Sequence, residues 1–150
     1  MNEIKWIYKP FDELDTKELY RILQVRSAVF VVEQNCPYLD PDDKDLDAYH
    51  LCGWEHDIPV AYARILSPGL AFEEASIGRV LTNPALRKRG TGRKLMEIAI
   101  EKTFDQYTVN RIRIGAQLYL EQFYNSLGFK QASGQYLEDD IPHIEMLLTK

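Results

Sequence analysis

The apolar residues of this chain recur with two periods, one typical of strands and one of helices. Ile4, Trp6 and Tyr8 alternate with polar residues, which predicts a half-buried first strand. Asp15 and Glu18 have the spacing of a capping box, so a helix is expected to begin between them. The apolar run that follows at residues 29–32 either extends this helix or begins another.

The rest of the chain continues this alternation of strands and helices. Residues 35–47, rich in proline and aspartate, predict a loop, and residues 56–59 predict a hairpin connection. Further strands are predicted at residues 49–55, 60–66, 75–82, 111–116, 129–136 and 143–149, and further helices from about residue 91 and over residues 118–127. The order β-α(α)-βββ-α-β-α-ββ contains no repeat and no low-complexity linker. We therefore expect one α+β domain over residues 1–150.

A basic segment rich in glycine separates the strand at residues 75–82 from the helix after it. This segment, called the glycine turn below, consists of Arg87, Lys88, Arg89, Gly90, Thr91, Gly92 and Arg93. The free N–H groups and the dipole at a helix start favour an anion, and glycine lets a ligand approach the backbone closely. Arginine adds a forked grip on phosphate. The turn thus predicts a phosphate site, and the alternative is an ordinary basic turn.

The spacing of the glycines narrows the kind of phosphate ligand. A dinucleotide fingerprint needs a third glycine where this chain has Leu95, and the loop that binds nucleoside triphosphates needs Gly-Lys-Ser/Thr, which is absent. The remaining pattern is Arg87, Gly90 and Gly92. It resembles the pyrophosphate loop of the GNAT superfamily of N-acetyltransferases, which bind acetyl-coenzyme A there.

A second motif lies about 30 residues further along. Leu120, Phe123, Tyr124 and Leu127 form one apolar helix face, and Gly128 is placed to end that helix in the left-handed conformation. The series Phe-Tyr-x-x-x-Gly-Phe resembles the second signature of the same superfamily. The two motifs occur in the expected order and separation, so we expect the GNAT fold: a mixed, mostly antiparallel central sheet flanked by helices.

The resemblance extends over nearly the whole chain and is narrower than the superfamily. The segments at residues 26–38, 61–66, 77–80 and 141–146 look like the ElaA-like branch, whose acceptors are mostly undefined. Asp140 departs from the glycine that this branch usually has before Ile-Pro-His, which puts the geometry of that turn in doubt. Two alternatives stay open: an enzyme like the acyl-homoserine-lactone synthases, which share the fold, and a domain that binds or senses acyl-coenzyme A without catalysis.

The resemblance implies acetyl-coenzyme A as co-substrate and direct transfer of its acetyl group to an amine, without a metal. It implies that Tyr124 donates a proton to the leaving thiolate, although the spacing equally fits a core aromatic residue. It also implies that the strand edge at Val80 and Leu81 contacts the coenzyme. Gln117 is a weaker candidate for the same ligand.

The general base and the acceptor site are predicted less sharply. Glu33 lies in the segment that the resemblance assigns to the acceptor side, and His143 is the second candidate base. Isolated histidines in strands are more often structural, however. Residues predicted to bind the acceptor are Arg26, Phe30, Glu33, His50 and Arg64.

Three arginines lie in otherwise apolar segments, where an unpaired charge is costly. Arg26, Arg64 and Arg79 are therefore expected to pair with acids such as Glu33, Asp45, Asp47 or Glu145, either bracing the acceptor pocket or binding a substrate carboxylate. The aspartates of residues 40–47 do not match a calcium loop, because Ala48 and Trp54 stand where glycine and glutamate are required. A solvated acidic loop is expected, with attraction of a cationic amine as the functional alternative.

Composition excludes several other classes of protein. The chain has 150 residues and a net charge of −5, so nucleic acid is not expected as a partner. Its two cysteines are too few for a disulfide framework. No apolar segment suggests an export signal or a membrane span, so a cytoplasmic protein without a membrane partner is expected. A homodimer remains an open alternative.

Overall fold

The first half of the chain folds into an antiparallel sheet with one helix across it. This computed structural model describes residues 3–88 and 90–150, so the prediction made for Arg89 lies outside the described residues. The elements are β1 (Lys5–Pro10), α1 (Thr16–Arg26), β2 (Tyr49–Glu55), β3 (Ile58–Leu66) and β4 (Ser76–Thr82). The strands pair in the order β1-β2-β3-β4. The predicted capping box starts α1, because the Asp15 carboxylate accepts from the Glu18 N–H at 2.7 Å.

The second half forms another small antiparallel sheet and two helices. Its elements are α2 (Thr91–Tyr107), β5 (Arg111–Gln117), α3 (Glu121–Ser126), β6 (Lys130–Gln131), β7 (Tyr136–Glu138) and β8 (Ile141–Thr149). Strands β5 and β6 flank β8, and β7 also pairs with β8. The predicted α+β class is confirmed, and so is the order of the elements through α3.

The two sheets meet where β4 begins beside β5. A parallel bridge joins Ala75 to Ile112, and the Arg113 N–H donates to the Ala75 carbonyl at 3.0 Å. Beyond this bridge no further pairing between β4 and β5 is found in residues 3–88 and 90–150. The two strands therefore separate and leave a cleft between the sheets.

Four local predictions need correction. The strand predicted over residues 129–136 is split into β6 and β7, and β8 begins two residues before its predicted start. The helix predicted over residues 118–127 begins with a 3₁₀ turn, Leu118–Leu120. The loop predicted at residues 35–47 contains a 3₁₀ helix, Asp43–Asp47, that a capping box starts. Periodicity does not fix the ends of elements to the residue.

The run at residues 29–32 extends α1 as a π-helix, Ser27–Glu33. Its wider turn is visible in the bonds from the Gln34 N–H to the Val29 carbonyl at 3.2 Å and from the Cys36 N–H to the Val31 carbonyl at 3.0 Å. Such segments are rare and often lie at functional sites. This one ends at Glu33, whose side chain lines the cleft.

Helix α2 covers the junction of the sheets. Its buried residues Leu95, Met96 and Ala99 pack against Ile112 of β5 and Ile144 of β8 in one core cluster. The core thus fixes the start of α2 relative to the cleft. Among the residues described, no helix combines the length and the apolar character needed to cross a membrane.

Candidate functional site

A cleft of about 860 Å³ runs between β4 and β5. At one end it is lined by Arg87, Lys88 and Gly92 of the glycine turn, and elsewhere by Tyr124 and His143. One continuous space therefore reaches both sequence motifs.

The glycine turn starts α2 with its backbone open to a ligand. Gly90 is the N-cap residue and has a φ of +87°, a conformation that glycine adopts without strain. No side chain caps this end of the helix among the described residues. A Cβ on Gly92 would lie 3.8 Å from Thr82 Cγ2, so the protein itself leaves room there. The first turn of α2 thus keeps unsatisfied N–H donors beside the cleft.

Carboxylates hold the cations of the glycine turn. Arg87 Nη2 and Nη1 donate to the two Glu33 oxygens at 2.7 and 3.0 Å. The hydrogen bond with Glu33 raises the pKa of Arg87. Lys88 Nζ lies 3.0 Å from both Glu55 oxygens. Glu33, predicted as a base, thus forms an ion pair with Arg87 of the glycine turn in this structure.

Two other residues of the glycine turn make contacts within the protein. Thr91 is buried. Arg93 donates to the Ser126 hydroxyl and lies over the Phe123 ring, which ties α2 to α3. Gly90, Thr91 and Arg93 are not among the residues that line the cleft.

Tyr124 lies on α3, which ends as the sequence predicts. Gly128 has a φ of +102°, and the Phe129 N–H donates to the Tyr124 carbonyl at 3.1 Å in a Schellman arrangement. The Tyr124 ring is 6% exposed and packs edge-on against Phe123 and Phe129. Its hydroxyl makes no hydrogen bond to any described residue, although the residue lines the cleft. Burial raises the pKa of Tyr124, which keeps its proton in place at neutral pH.

His143 lies on β8 in register with Gln117 of β5 on one side and Tyr136 of β7 on the other. Its Nδ1 lies 2.7 Å from the Ile141 carbonyl, which only accepts, so Nδ1 carries the proton. Nε2 is then the basic nitrogen of the neutral ring, and it lies 3.5 Å from Glu138 Oε2. Tyr136 stacks on the imidazole at 5.8 Å. The Ile141 carbonyl and the Tyr136 ring thus fix the orientation of the imidazole.

Strand β4 carries an irregularity beside the cleft. The register with β3 shifts between Tyr62 and Arg64, and Arg79 opposite has a φ of +50°. Arg79 Nε donates to Asp40 at 2.8 Å, which holds this conformation. Val80 and Leu81 follow directly and line the cleft, as does Gln117.

The predicted solvated acidic loop is wrong for three of its aspartates. Asp40, Asp42 and Asp45 bind the three arginines singled out in the sequence, and these six residues form the arginine–aspartate cluster. Burial alone would raise the pKa of Asp45, but hydrogen bonds and charge from Arg26 and Arg64 outweigh it and lower that pKa. Because the cluster's charges cancel, it provides no net attraction for a cationic amine.

Of the acid partners expected for these arginines, only Asp45 is confirmed among the described residues, by its ion pairs with Arg26 and Arg64. Asp45 was among the acids named, but Glu33 pairs with Arg87, and Glu145 pairs with Arg113. Arg26 is fully buried and donates to Asp40 and Asp45 at 2.7 Å each.

His50 is a structural residue in this fold. Its Nε2 lies 3.0 Å from the Asp45 carbonyl and must donate, so Nδ1 accepts from the Tyr62 hydroxyl at 2.6 Å. Burial lowers the pKa of His50.

The structure brings most of the predicted site residues to one cleft. The candidates that line it are Phe30, Glu33, Arg64, Val80, Leu81, Arg87, Lys88, Gly92, Gln117, Tyr124 and His143. Arg26 and His50 lie behind its wall. Tyr136 and Glu138 also line the cleft and were missed in the sequence. The sequence predicts one strand over residues 129–136, so β7 and its pairing with β8 were not expected.

Comparison with known proteins identifies the family. A family model described as an acetyltransferase (GNAT) domain matches residues 43–150. Protein ElaA of Escherichia coli is 45% identical over 145 residues, which are 95% of each chain. The chain belongs to the GNAT acetyltransferase family. Within the GNAT family it is similar to the ElaA-like proteins, as its motifs indicate.

Solved structures agree with this GNAT assignment. An acyl-CoA N-acyltransferase from Pseudomonas aeruginosa matches with a TM-score of 0.93 at 40% identity, over 98% of this chain and all of that one (100%). The crystal structure of Escherichia coli ElaA matches with a TM-score of 0.91 at 43% identity, over 97% of this chain and 99% of that one. The AHL synthase LasI matches with a TM-score of 0.72 but at 14% identity, over 99% of this chain and 91% of that one, which shows the fold alone.

Proposed function

We propose that this protein transfers the acetyl group of acetyl-coenzyme A to a primary amine within a ternary complex. The observation that carries the proposal is the single cleft that joins the open start of α2 to Tyr124. In this proposal the coenzyme pyrophosphate binds the glycine turn and the thioester lies beside Val80 and Leu81. The amine enters from the side of Glu33 and His143.

The reaction needs no group beyond the two substrates and the side chains of the cleft. The amine nitrogen forms a bond to the carbonyl carbon, and the bond from that carbon to sulfur breaks. One proton leaves the nitrogen and one reaches the thiolate. Tyr124 is the proton donor in this scheme, because it lines the cleft and its hydroxyl makes no hydrogen bond to any described residue.

We take His143 as the residue that accepts the amine proton, directly or through one water. Its Nδ1 proton is held by the Ile141 carbonyl, so Nε2 is the nitrogen that accepts the proton. Glu33 is the alternative base. Its carboxylate first has to leave Arg87, which the coenzyme pyrophosphate could bring about by competing for the same guanidinium.

The test is release of free coenzyme A thiol from acetyl-coenzyme A across a panel of primary amines, with mass spectrometry of the acetylated product. We expect thiol release that depends on the amine and saturates in both substrates. A reaction without amine measures background hydrolysis. Tight coenzyme binding with no amine-dependent release across the panel would instead identify a domain that only binds acyl-coenzyme A.

A further inference from the structure

Arg64 carries a buried donor that the protein leaves without a partner. Among the buried side-chain nitrogen and oxygen atoms of the described residues, two lack a hydrogen bond: Trp54 Nε1 and Arg64 Nε. Only Arg64 of these two residues lines the cleft. An unsatisfied donor on a buried guanidinium is costly, so its presence at a cleft wall calls for a ligand.

The other two arginines of the cluster have hydrogen-bond partners for Nε, so the unpartnered Nε is particular to Arg64. Arg26 uses Nε, Nη1 and Nη2 on Asp40 and Asp45. Arg79 uses Nε and Nη2 on Asp40. Arg64 uses only Nη1, which donates to Asp42 at 2.6 Å and to Asp45 at 2.9 Å. Its Nε–Nη2 edge, which presents two parallel N–H groups, has no partner in residues 3–88 and 90–150.

Space for a ligand lies beside this arginine. Gly78 of β4 is the cross-strand partner of Arg64, so a side chain at position 78 would stand next to it. A Cβ built on Gly78 meets no atom within 4 Å, and no left-handed φ requires glycine there. Gly78 lines the cleft and keeps this space empty.

The space is separate from the phosphate site. Gly78 and Thr82 are four residues apart on β4, so the glycine turn after Thr82 is roughly 13 Å further along the strand. The charges of the arginine–aspartate cluster cancel, and Lys44 also lines the cleft without an ion pair to any described residue. Because the arginine–aspartate cluster has no net charge, it does not repel a negatively charged ligand here.

We propose that the Nε–Nη2 edge of Arg64, with the space beside Gly78, binds a free carboxylate of the acceptor, so that the acceptor is an amino acid. Two carboxylate oxygens match two parallel guanidinium donors. Because Nε is buried in the free protein, the guanidinium has to turn toward the space beside Gly78 for a carboxylate to reach Nε. This assignment rests on the proposed acetyl transfer and specifies its substrate class. The amine of the same molecule would then extend toward Tyr124 and His143, which line the same cleft.

The experiment compares free amino acids with their carboxamides as acceptors, through kcat/KM from thiol release. Each amino acid and its carboxamide differ only at the carboxylate. For each variant we take the ratio of kcat/KM for the acid to kcat/KM for the amide. Comparing this ratio between variants cancels the difference in basicity between the two amines. Gly78→Val fills the space while leaving Arg64 intact, and valine suits a strand. Arg64→Lys keeps the charge beside Asp42 and Asp45 but removes the fork. Arg79→Lys is the matched control in the same cluster.

We expect the ratio to fall by about 10- to 100-fold in Gly78→Val and Arg64→Lys, the range of a charge-assisted hydrogen bond, and to stay near the wild-type value in Arg79→Lys. An unchanged ratio in Gly78→Val overturns the proposal even where Arg64→Lys fails to fold. If no acceptor releases thiol, the proposed function fails separately. The Arg64 Nε–H signal in ¹⁵N NMR then still tests the site, since it must shift with the amino acid and not with its amide.

Discussion

The two glycines of the glycine turn should respond in opposite directions to the same substitution. Gly90 has a φ of +87° with open space around it, so Gly90→Ala costs only the left-handed backbone, about 1–2 kcal/mol. Gly92 lies inside α2 with ordinary helical geometry, and a Cβ meets Thr82 Cγ2 at an unstrained 3.8 Å. Gly92→Ala should therefore stabilise the free protein by up to about 1 kcal/mol through helix propensity.

Thermal denaturation should separate the two variants clearly. In a chain of this size 1 kcal/mol corresponds to about 2–4 °C, so Gly92→Ala should melt roughly 5–10 °C above Gly90→Ala. For coenzyme binding we expect the substitution at residue 92 to be the harmful one, because a side chain there projects where a phosphate would approach the first turn of α2. Gly92→Val should abolish acetyl-coenzyme A binding in isothermal calorimetry while the protein stays folded.

Two results would refute this reasoning. If Gly92→Ala is destabilised as much as Gly90→Ala, the backbone at these positions is not as described. If Gly92→Val folds and binds acetyl-coenzyme A with unchanged affinity, the pyrophosphate does not bind at the glycine turn.

Three further predictions concern the cleft and its wall. Tyr124→Phe should lower kcat by about 10²–10⁴-fold with a saturating acceptor and leave coenzyme affinity unchanged. Tyr107→Phe, outside the cleft, is the control and should have no effect. A loss of stability without a loss of turnover would show that Tyr124 has only a packing role. The pKa of Asp45 is lower in the folded protein than in the unfolded chain. Its contribution to the free energy of unfolding is therefore complete above the unfolded pKa of about 4 and is lost as pH falls through the folded-state pKa. Urea denaturation should show Asp45→Asn less stable by about 3–5 kcal/mol at pH 7 and less sensitive to acid than wild type, and an acid dependence equal to that of wild type would contradict this. A Cβ on Gly115 would lie 3.0 Å from the Tyr136 hydroxyl, so the Tyr136 ring has to shift slightly where it stacks on His143. Gly115→Ala should therefore lower turnover modestly and leave coenzyme affinity unchanged, and equal changes in both would argue against it.

The sequence predicts elements whose signals are local and misses contacts that arise only from folding. The capping box at Asp15 and the left-handed Gly128 each depend on a few adjacent residues, and both are confirmed. Asp40 and Arg79 are 39 residues apart, and nothing in their local sequence indicates that they meet. Position along the chain likewise cannot distinguish Arg26, which has its donors satisfied, from Arg64, which does not.

The ion pairs of the glycine turn have a consequence for how a phosphate ligand would bind in solutions of different ionic strength. Arg87 and Lys88 already carry Glu33 and Glu55 as internal counter-ions. An arriving pyrophosphate exchanges one anionic partner for another and releases few salt ions from these two side chains. Affinity for acetyl-coenzyme A should then vary less with added salt than the number of cations in the turn suggests. Replacing Glu33 with glutamine would make that dependence steeper.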